Sequence, residues 1–178
     1  MKKILLLDAE NYDPALPEIR RTAVRGIIFD RGKLLLIHAS AGEVKFPGGG
    51  QEDGETDLET LARETLEETG YHILPESARA FGEVEEKRLS IHADEAKIWR
   101  QISRYYFCDI RTDVKDACRY TENEKNFGFR QVWYPLDEAI RLNREMLQKE
   151  GAHAWNQREF RVLQLLKEYL NQTGREQP

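Results

Sequence analysis

The stretch from Phe46 to Tyr71 constrains this chain more than any other part of it. It opens with a proline and three glycines, continues through a short acidic loop, and ends in a segment rich in glutamate. Within it, glycine, glutamate and arginine follow the spacing G-x5-E-x7-R-E-x-x-E-E-x-G from Gly49 to Gly70. This order of residues predicts a glycine-rich turn that leads directly into a charged helix.

Both ends of that helix are marked in the sequence. Thr56 followed by Glu59 is the pattern of a capping box, with Thr56 as the N-cap. Gly70 stands where a left-handed residue commonly ends a helix. At about 100° per residue, one side of this helix is expected to face the core. That side carries Leu58, Ala62, Thr65, Leu66 and Thr69.

Three carboxylates project from the opposite side. Glu64, Glu67 and Glu68 fall within an arc of about 100° on an ideal helix, where like charges repel each other. Mg²⁺ and Mn²⁺ prefer carboxylate and water oxygens, so a hard divalent cation would neutralise the cluster. The alternative is an ordinary solvated acidic face, which most glutamate-rich helices present.

The full pattern resembles the signature box of the Nudix hydrolase family. The resemblance implies that Glu64, Glu67 and Glu68, with the carbonyl of Gly48, bind Mg²⁺, for which Mn²⁺ is a possible substitute. It further implies that Glu64 and Glu67 take part in catalysis. Arg63 and Glu55 would orient the catalytic residues.

The activity implied by this resemblance is cleavage of a diphosphate bond in a nucleoside diphosphate-linked substrate, by water and a divalent metal. The substrate class stays open between nucleoside triphosphates and nucleotide sugars, with dinucleoside polyphosphates and capped RNA as further options. Two positions depart mildly from the family pattern, Thr65 and Tyr71. Neither carries charge, so neither bears on the activity. A non-catalytic nucleotide-binding module on the same fold is the alternative function.

Outside the box, the pattern predicts an α/β fold in which a mixed central sheet is flanked by helices, as in the α/β/α sandwich of this family. Leu34–Ile37 is a continuous apolar run, which is typical of a strand covered on both faces. Strands are expected at Lys2–Leu7, Thr22–Phe29, Lys33–Ala39, Ala80–Arg88, Trp99–Ile110 and Phe127–Tyr134, and helices from Pro135 to about Lys149 and from Trp155 to Leu170. At 178 residues, the whole chain, 1–178, is expected to form one domain.

Several residues outside the box are further candidates for the site. The family often adds a carboxylate from elsewhere in the chain, as a metal ligand or as a base. The candidates are Glu83, Glu85, Asp109, Glu122 and Glu124, and no spacing selects among them. Stacking on a base would fall to aromatic residues such as Phe46, Tyr105, Phe107, Phe127 or Phe129. The polar segment Leu89–Ile98 is expected to be either an ordinary hairpin loop or a flap over the substrate.

Composition narrows the class of partner. A net charge of −5 argues against a general nucleic-acid binder or a protein of anionic membranes. No stretch approaches the length of an apolar membrane span, so a cytoplasmic location is the default expectation. The expected partner is a small nucleotide substrate, and the expected assembly is a monomer or a homodimer.

Overall fold

The computed structural model describes residues 1–92, 94–150 and 153–174. These residues form nine strands and four helices. In chain order the elements are β1 (Lys3–Asp8), β2 (Glu18–Ile27), β3 (Phe29–Asp30), β4 (Lys33–His38), β5 (Val44–Lys45), β6 (Gly48–Gly50), α1 (Asp57–Thr69), β7 (Ile73–His92), β8 (Glu95–Ile110), α2 (Glu122–Asn126), β9 (Arg130–Tyr134), α3 (Leu136–Leu147) and α4 (Ala154–Thr173).

The strands form one larger and one smaller sheet. The larger sheet has the order β1-β7-β8-β2-β6. Its β7 and β8 form a long antiparallel hairpin, whereas β1 lies parallel to β7 and β2 lies parallel to β8. In the smaller sheet, β4 pairs antiparallel with β3, β5 and β9. The larger sheet is therefore mixed, and its edge strand β6 is the glycine turn of the box.

Apolar side chains pack on both sides of β4. Leu34 and Leu36 are buried in one cluster together with leucines and valines of α3 and α4. Leu35 is buried in a second cluster with Leu61 of α1. The prediction that Leu34–Ile37 is covered on both faces is confirmed, and so is the α/β architecture of a mixed sheet flanked by helices. No helix in the described ranges is long and apolar enough to cross a membrane.

Helix α1 begins and ends where the sequence predicts, but its buried face is rotated. The hydroxyl of Thr56 accepts a hydrogen bond from the Glu59 amide, the Glu59 side chain returns the bond, and Gly70 closes the helix in the left-handed conformation. Leu58, however, is 39% exposed, so its predicted place in the core is wrong. Leu61 is fully buried instead. The buried face of α1 also contains a charged residue, Glu68, which a search for an apolar stripe does not place there.

The segment Leu89–Ile98 is mostly strand rather than loop. Leu89 pairs with Ile98, Ser90 with Lys97, and the pairing continues to His92 opposite Glu95. Polar side chains do not prevent this pairing, because the ladder is made by backbone groups. The expected long loop is therefore replaced by paired strands up to His92 and from Glu95 onwards, and Asp94, between them, has a φ of 64°. Ala93 lies outside the described residues.

Candidate active site

Arg63 joins the turn and the helix of the glycine–glutamate box. Its Nε and Nη2 donate to the two carboxylate oxygens of Glu55 at 2.6 and 2.8 Å, and Nη2 also donates to the Gly50 carbonyl at 3.0 Å. Its Nη1 donates to Glu64 at 2.7 Å and reaches Glu67 at 3.4 Å. Arg63 thus pairs with both Glu55 and Glu64. One guanidinium fixes the acidic loop, the turn and two carboxylates of α1 relative to one another.

The same contacts change the acidity of Glu55. Its hydrogen bonds with the Arg63 guanidinium lower the pKa of the Glu55 carboxyl to about 2, against an opposing effect of desolvation. Thr60 adds a hydroxyl hydrogen bond of 2.8 Å to the same carboxylate. Glu55 is therefore a stable anion at neutral pH, as an orienting residue for Arg63 requires.

Glu68 is engaged differently from the other two glutamates. Its side chain is buried, and its carboxylate accepts hydrogen bonds from Lys45 Nζ at 2.6 Å and from the Gly48 amide at 2.8 Å. Burial raises the pKa of the Glu68 carboxyl, and the neighbouring Lys45 ammonium opposes that rise. The Gly48 carbonyl accepts from Lys45 Nζ at 3.2 Å and from Arg25 Nη1 at 3.1 Å. The Glu68 carboxylate and the Gly48 carbonyl therefore both already accept hydrogen bonds from cationic side chains of the protein.

Two glycines of the turn are required for close approach. A Cβ at Gly49 would lie 2.3 Å from Oε2 of Glu64, so only glycine lets this carboxylate rest against the turn. Gly48 has a φ of 134°, and a Cβ there would lie 2.1 Å from the Val24 carbonyl oxygen. The turn thus brings backbone, rather than side chains, to the Glu64 carboxylate.

The groups expected to bind a metal ion all present oxygen atoms. The carboxylates of Glu64, Glu67 and Glu68 and the Gly48 carbonyl are hard oxygen donors of the kind that Mg²⁺ takes. Glu64 and Glu67 contact the same nitrogen of Arg63 and so lie side by side. In the described ranges, no three acidic, histidine or cysteine side chains are gathered tightly enough to hold an ion as they stand. These carboxylate and carbonyl oxygens are of the kind that binds a hard cation. Arg63 and Lys45 already contact some of them.

The Glu64 carboxylate opens onto a cavity of about 480 Å³. Its wall combines the glycine turn with five cationic, three acidic and four aromatic side chains and two uncharged ones. The lining residues are Arg21, Arg25, Lys45, Gly48, Gly49, Gly50, Glu64, Glu86, Arg88, Trp99, Gln101, Thr121, Glu124, Phe127, Phe129, Trp155 and Arg158. Cationic and aromatic groups beside a glycine turn can accommodate the phosphates and the base of a nucleotide.

The structure separates the carboxylate candidates outside the box. Glu124 alone among those five lines this cavity, and its carboxylate caps α2 by accepting from the amide and hydroxyl of Thr121. Glu83 pairs with Arg104, and Glu85 with Lys3 and Arg100. Glu122 pairs with Lys125 on the surface, and Asp109 is an exposed strand residue.

The aromatic candidates divide in the same way. Phe127 and Phe129 line the cavity and stack on each other, with ring centroids 5.5 Å apart. Phe46 and Tyr105 are fully buried and meet edge to face, and Phe107 packs against Phe81 and Tyr169 in the core. These three are core residues.

A buried ionic network from α4 supports the cavity. Glu159 accepts from the Phe46 amide at 3.0 Å and from Arg158 Nε at 2.9 Å, and Arg158 also pairs with Glu86. Burial alone would raise the pKa of Glu159, but Arg158 and Arg25 outweigh it, so that the pKa lies below its ordinary value. The α4 helix thus holds Phe46, just before the glycine turn, through a charged contact as well as through its apolar stripe.

Sequence reasoning missed most of the cavity wall. Arg21, Arg25, Lys45, Arg158 and Trp155 come from strands and a helix that are distant in the chain, and no spacing connects them with the box. The sequence of α4 does not single out Arg158 and Glu159, because the same helix carries a second pair of adjacent charges, Lys167 and Glu168, which is exposed.

Similarity to known proteins identifies the fold and the family. The chain is similar to the structure of a NUDIX hydrolase from Nitrosomonas europaea, with a TM-score of 0.55 and 21% identity over 90% of this chain and 93% of the other. It is equally similar to the structure of an ADP compounds hydrolase, with a TM-score of 0.55 and 21% identity over 87% of this chain and 75% of that one. At such identities these likenesses establish the fold.

The family rests on a sequence model. The model of the NUDIX domain matches residues 19–156, which include the glycine turn, α1 and nearly every residue that lines the cavity. The resemblance carried by the glycine–glutamate spacing is therefore confirmed over most of the chain. The protein belongs to the NUDIX hydrolase family.

Proposed function

We propose that this protein hydrolyses a diphosphate bond in a nucleoside diphosphate-linked substrate, in a reaction that depends on a divalent metal ion. One observation carries the proposal. The Glu64 carboxylate, held by Arg63 and seated against Gly49, opens onto a cavity that also contains cationic and aromatic side chains. Cationic side chains suit the phosphates of a nucleotide, and aromatic side chains suit its base.

The contacts of the protein groups support a role for each of them. Glu64 and Glu67 would hold Mg²⁺, with Glu68 and the Gly48 carbonyl as further donors, and Mn²⁺ as a possible substitute. When bound, the ion would neutralise the diphosphate and lower the pKa of a water molecule. Arg63 fixes the orientation of Glu64 and Glu67, and Glu55 holds Arg63 in turn.

The bond changes are those of a simple displacement. The oxygen of water attacks one phosphorus atom, and the bridging P–O bond breaks with its electron pair left on the departing phosphate. A carboxylate of the site takes the proton from water. Among the five acidic candidates outside the box, Glu124 is the one to test as this base, since it lines the cavity.

A binding module without hydrolysis is the competing function. Such a module does not need the full set of carboxylates, whereas this chain retains Glu64, Glu67 and Glu68 together with Arg63. The retained set favours the enzyme. The whole chain would act as one catalytic domain, and its substrate would be a small nucleotide rather than a general nucleic acid.

The test is a panel of nucleoside triphosphates, nucleotide sugars and dinucleoside polyphosphates, with Mg²⁺, with Mn²⁺ or with EDTA, read as released phosphate or pyrophosphate. Wild type should hydrolyse at least one substrate only when metal is present. Glu67→Gln should lower turnover by orders of magnitude with an unchanged melting temperature, because Glu67 is 39% exposed and makes one long contact with Arg63.

Glu122→Gln provides the matched control. It removes the same charge from an exposed residue that pairs with Lys125 and is not among the residues that line the cavity, and it should leave turnover unchanged. Full turnover by Glu67→Gln would remove that residue from the catalytic set. Absence of metal-dependent hydrolysis across the panel, with nucleotide binding retained, would favour the binding module.

A further inference from the structure

Three neighbouring strands form the floor of the cavity. In the sheet, Arg21 of β2 lies opposite Gln101 of β8, which lies opposite Glu86 of β7. Two residues further along, Trp99 of β8 lies opposite Arg88 of β7. All five side chains line the cavity, as the alternation of strand residues requires for positions separated by two. The floor therefore presents a row of polar and aromatic groups with a cation at each end.

Most cations of the cavity have a carboxylate partner. Lys45 pairs with Glu68, and Arg158 pairs with Glu86 and Glu159. The Nε atom of Arg25 lies 3.6 Å from Glu159. These positive charges are neutralised by carboxylates of the protein itself. They therefore hold the walls of the site together at least as much as they attract an anion.

Arg21 and Arg88 are different. Arg21 donates to the neutral side-chain oxygen of Gln101 at 3.0 Å. Arg88 lies over the Trp99 ring, 5.7 Å from its centroid, and has a weak 3.5 Å contact with the Leu89 carbonyl. Within the part of the chain that the structure describes, no carboxylate oxygen lies within 4 Å of either guanidinium. Glu64 and Glu86 lie near enough to Arg21 to act on its charge, but neither forms an ion pair with it. Cations that face a cavity without an ion-pair partner attract an anionic ligand.

Their positions separate two parts of such a ligand. Arg21 lies against Gly50, since a Cβ at that glycine would be 2.9 Å from its guanidinium. Arg21 can therefore reach a phosphate held at the turn. Two strand spacings and two residues along the strand separate it from Arg88, which is about 12 Å between Cα atoms. Arg88 is therefore placed for anionic charge that extends beyond the phosphates beside the turn.

We infer that Arg21 and Arg88 bind the extended phosphate chain of a nucleoside triphosphate, which makes a triphosphate, rather than a nucleoside diphosphate sugar, the preferred substrate of this cavity. The inference rests on the proposed function for the identity of the bond that is cleaved. What it adds is the length and the charge of the ligand. Burial lowers the pKa of the Arg21 guanidinium, and the neighbouring cations Arg25 and Arg158 lower it further, while Glu64 and Glu86 oppose the shift.

The first test measures binding alone, with EDTA present so that no hydrolysis occurs. Inorganic tripolyphosphate and pyrophosphate are titrated while tryptophan fluorescence is recorded, because Trp99 and Trp155 both line the cavity. Wild type should bind tripolyphosphate at least about tenfold more tightly than pyrophosphate. Arg88→Gln should weaken tripolyphosphate binding on the order of 10- to 100-fold and leave pyrophosphate nearly unchanged, whereas Arg21→Gln should weaken both.

Arg141→Gln is the matched control. It removes the same charge from α3, where Arg141 pairs with Glu138 and Glu145 outside the cavity, and it should change neither affinity. Arg88→Lys keeps the charge and should retain part of the preference, which separates lost attraction from a fold defect. Equal affinities for the two anions in wild type, or Arg88→Gln with the wild-type preference, would overturn the inference.

A second measurement separates this inference from the proposed function. With Mg²⁺, wild type should have a higher kcat/KM for its best nucleoside triphosphate than for any nucleoside diphosphate sugar. Arg88→Gln should reduce that ratio mainly through KM. A preference for the sugar would overturn the inference and leave the hydrolase standing, whereas absence of any hydrolysis would count against the hydrolase alone.

Discussion

Replacing Leu61 by alanine tests whether α1 faces the sheet as described. Leu61 is fully buried in a cluster with Val24, Ile28 and Leu35, and its side chain fills space between the helix and two strands. Removing it deletes buried apolar contacts and leaves a cavity that the rigid sheet cannot close. Leu58, one turn earlier on the same helix, is 39% exposed and is the matched control.

The expected magnitudes differ widely. A leucine-to-alanine change in a core costs about 2–5 kcal/mol of the free energy of unfolding. For a chain of this length, each kcal/mol lowers the melting temperature by about 2–4 °C, so Leu61→Ala should lower it by about 4–20 °C. Leu58→Ala removes a partly solvated side chain, for which about 0.5 kcal/mol and about 2 °C are upper expectations.

The assay is thermal and urea unfolding of the two variants and wild type, followed by circular dichroism. Turnover at 25 °C is measured in parallel, since neither variant alters a carboxylate of the site and both should remain active while folded. Equal melting temperatures for the two variants, or a larger loss in Leu58→Ala, would show that the buried face of α1 is assigned incorrectly. The position of Glu64 in the cavity wall would then have to be revised as well.

Three further changes test the turn and its acidic support. Gly49→Ala should abolish most turnover with a small loss of stability, because the new Cβ would meet only the flexible end of Glu64; turnover near wild type would show that the position of this carboxylate is not critical. Gly48→Ala should instead destabilise the fold itself, since it combines a positive φ with a clash against a β2 carbonyl, and a melting curve distinguishes the two variants. For Glu55→Gln, the lowered pKa of about 2 means that the ionised carboxylate stabilises the fold above pH 4.5 and that this contribution is lost as the pH falls through 2. The difference in urea midpoint between wild type and Glu55→Gln should therefore shrink from pH 5 to pH 2, and a constant difference would mean that the pairing with Arg63 does not depend on charge.

The ends of α1 and the buried strand were predictable from sequence because each depends on neighbours in the chain. Thr56 and Glu59 form a capping box within one turn, and Gly70 ends the helix by its own backbone conformation. Leu34–Ile37 is apolar at every position, which leaves neither face suited to water. In such cases the local interaction that creates the pattern is also the one that stabilises the structure.

Rotation of α1 and the extent of the long hairpin were not predictable in this way. Glu68 is buried because Lys45, on a strand that precedes the turn, supplies its partner. Nothing within the helix reveals that partner, so a stripe of apolar residues centred on Leu58 and Ala62 looked like the core face. The hairpin between Leu89 and Ile98 extends through polar sequence because backbone pairing alone maintains it.

The same long-range pairing changes what the acidic cluster means. In the sequence, three neighbouring glutamates predict a metal ion that reduces their mutual repulsion. In the fold, Arg63 already contacts Glu64 and Glu67, and Lys45 contacts Glu68. The most weakly held of the three is Glu67, whose contact is longest and whose side chain is most exposed. A metal ion bound under the proposed function would therefore gain most at Glu67 and Glu64, and it would have to compete with a buried ammonium for Glu68. The three carboxylates would then be unequal as ligands, although the sequence pattern presents them as equivalent.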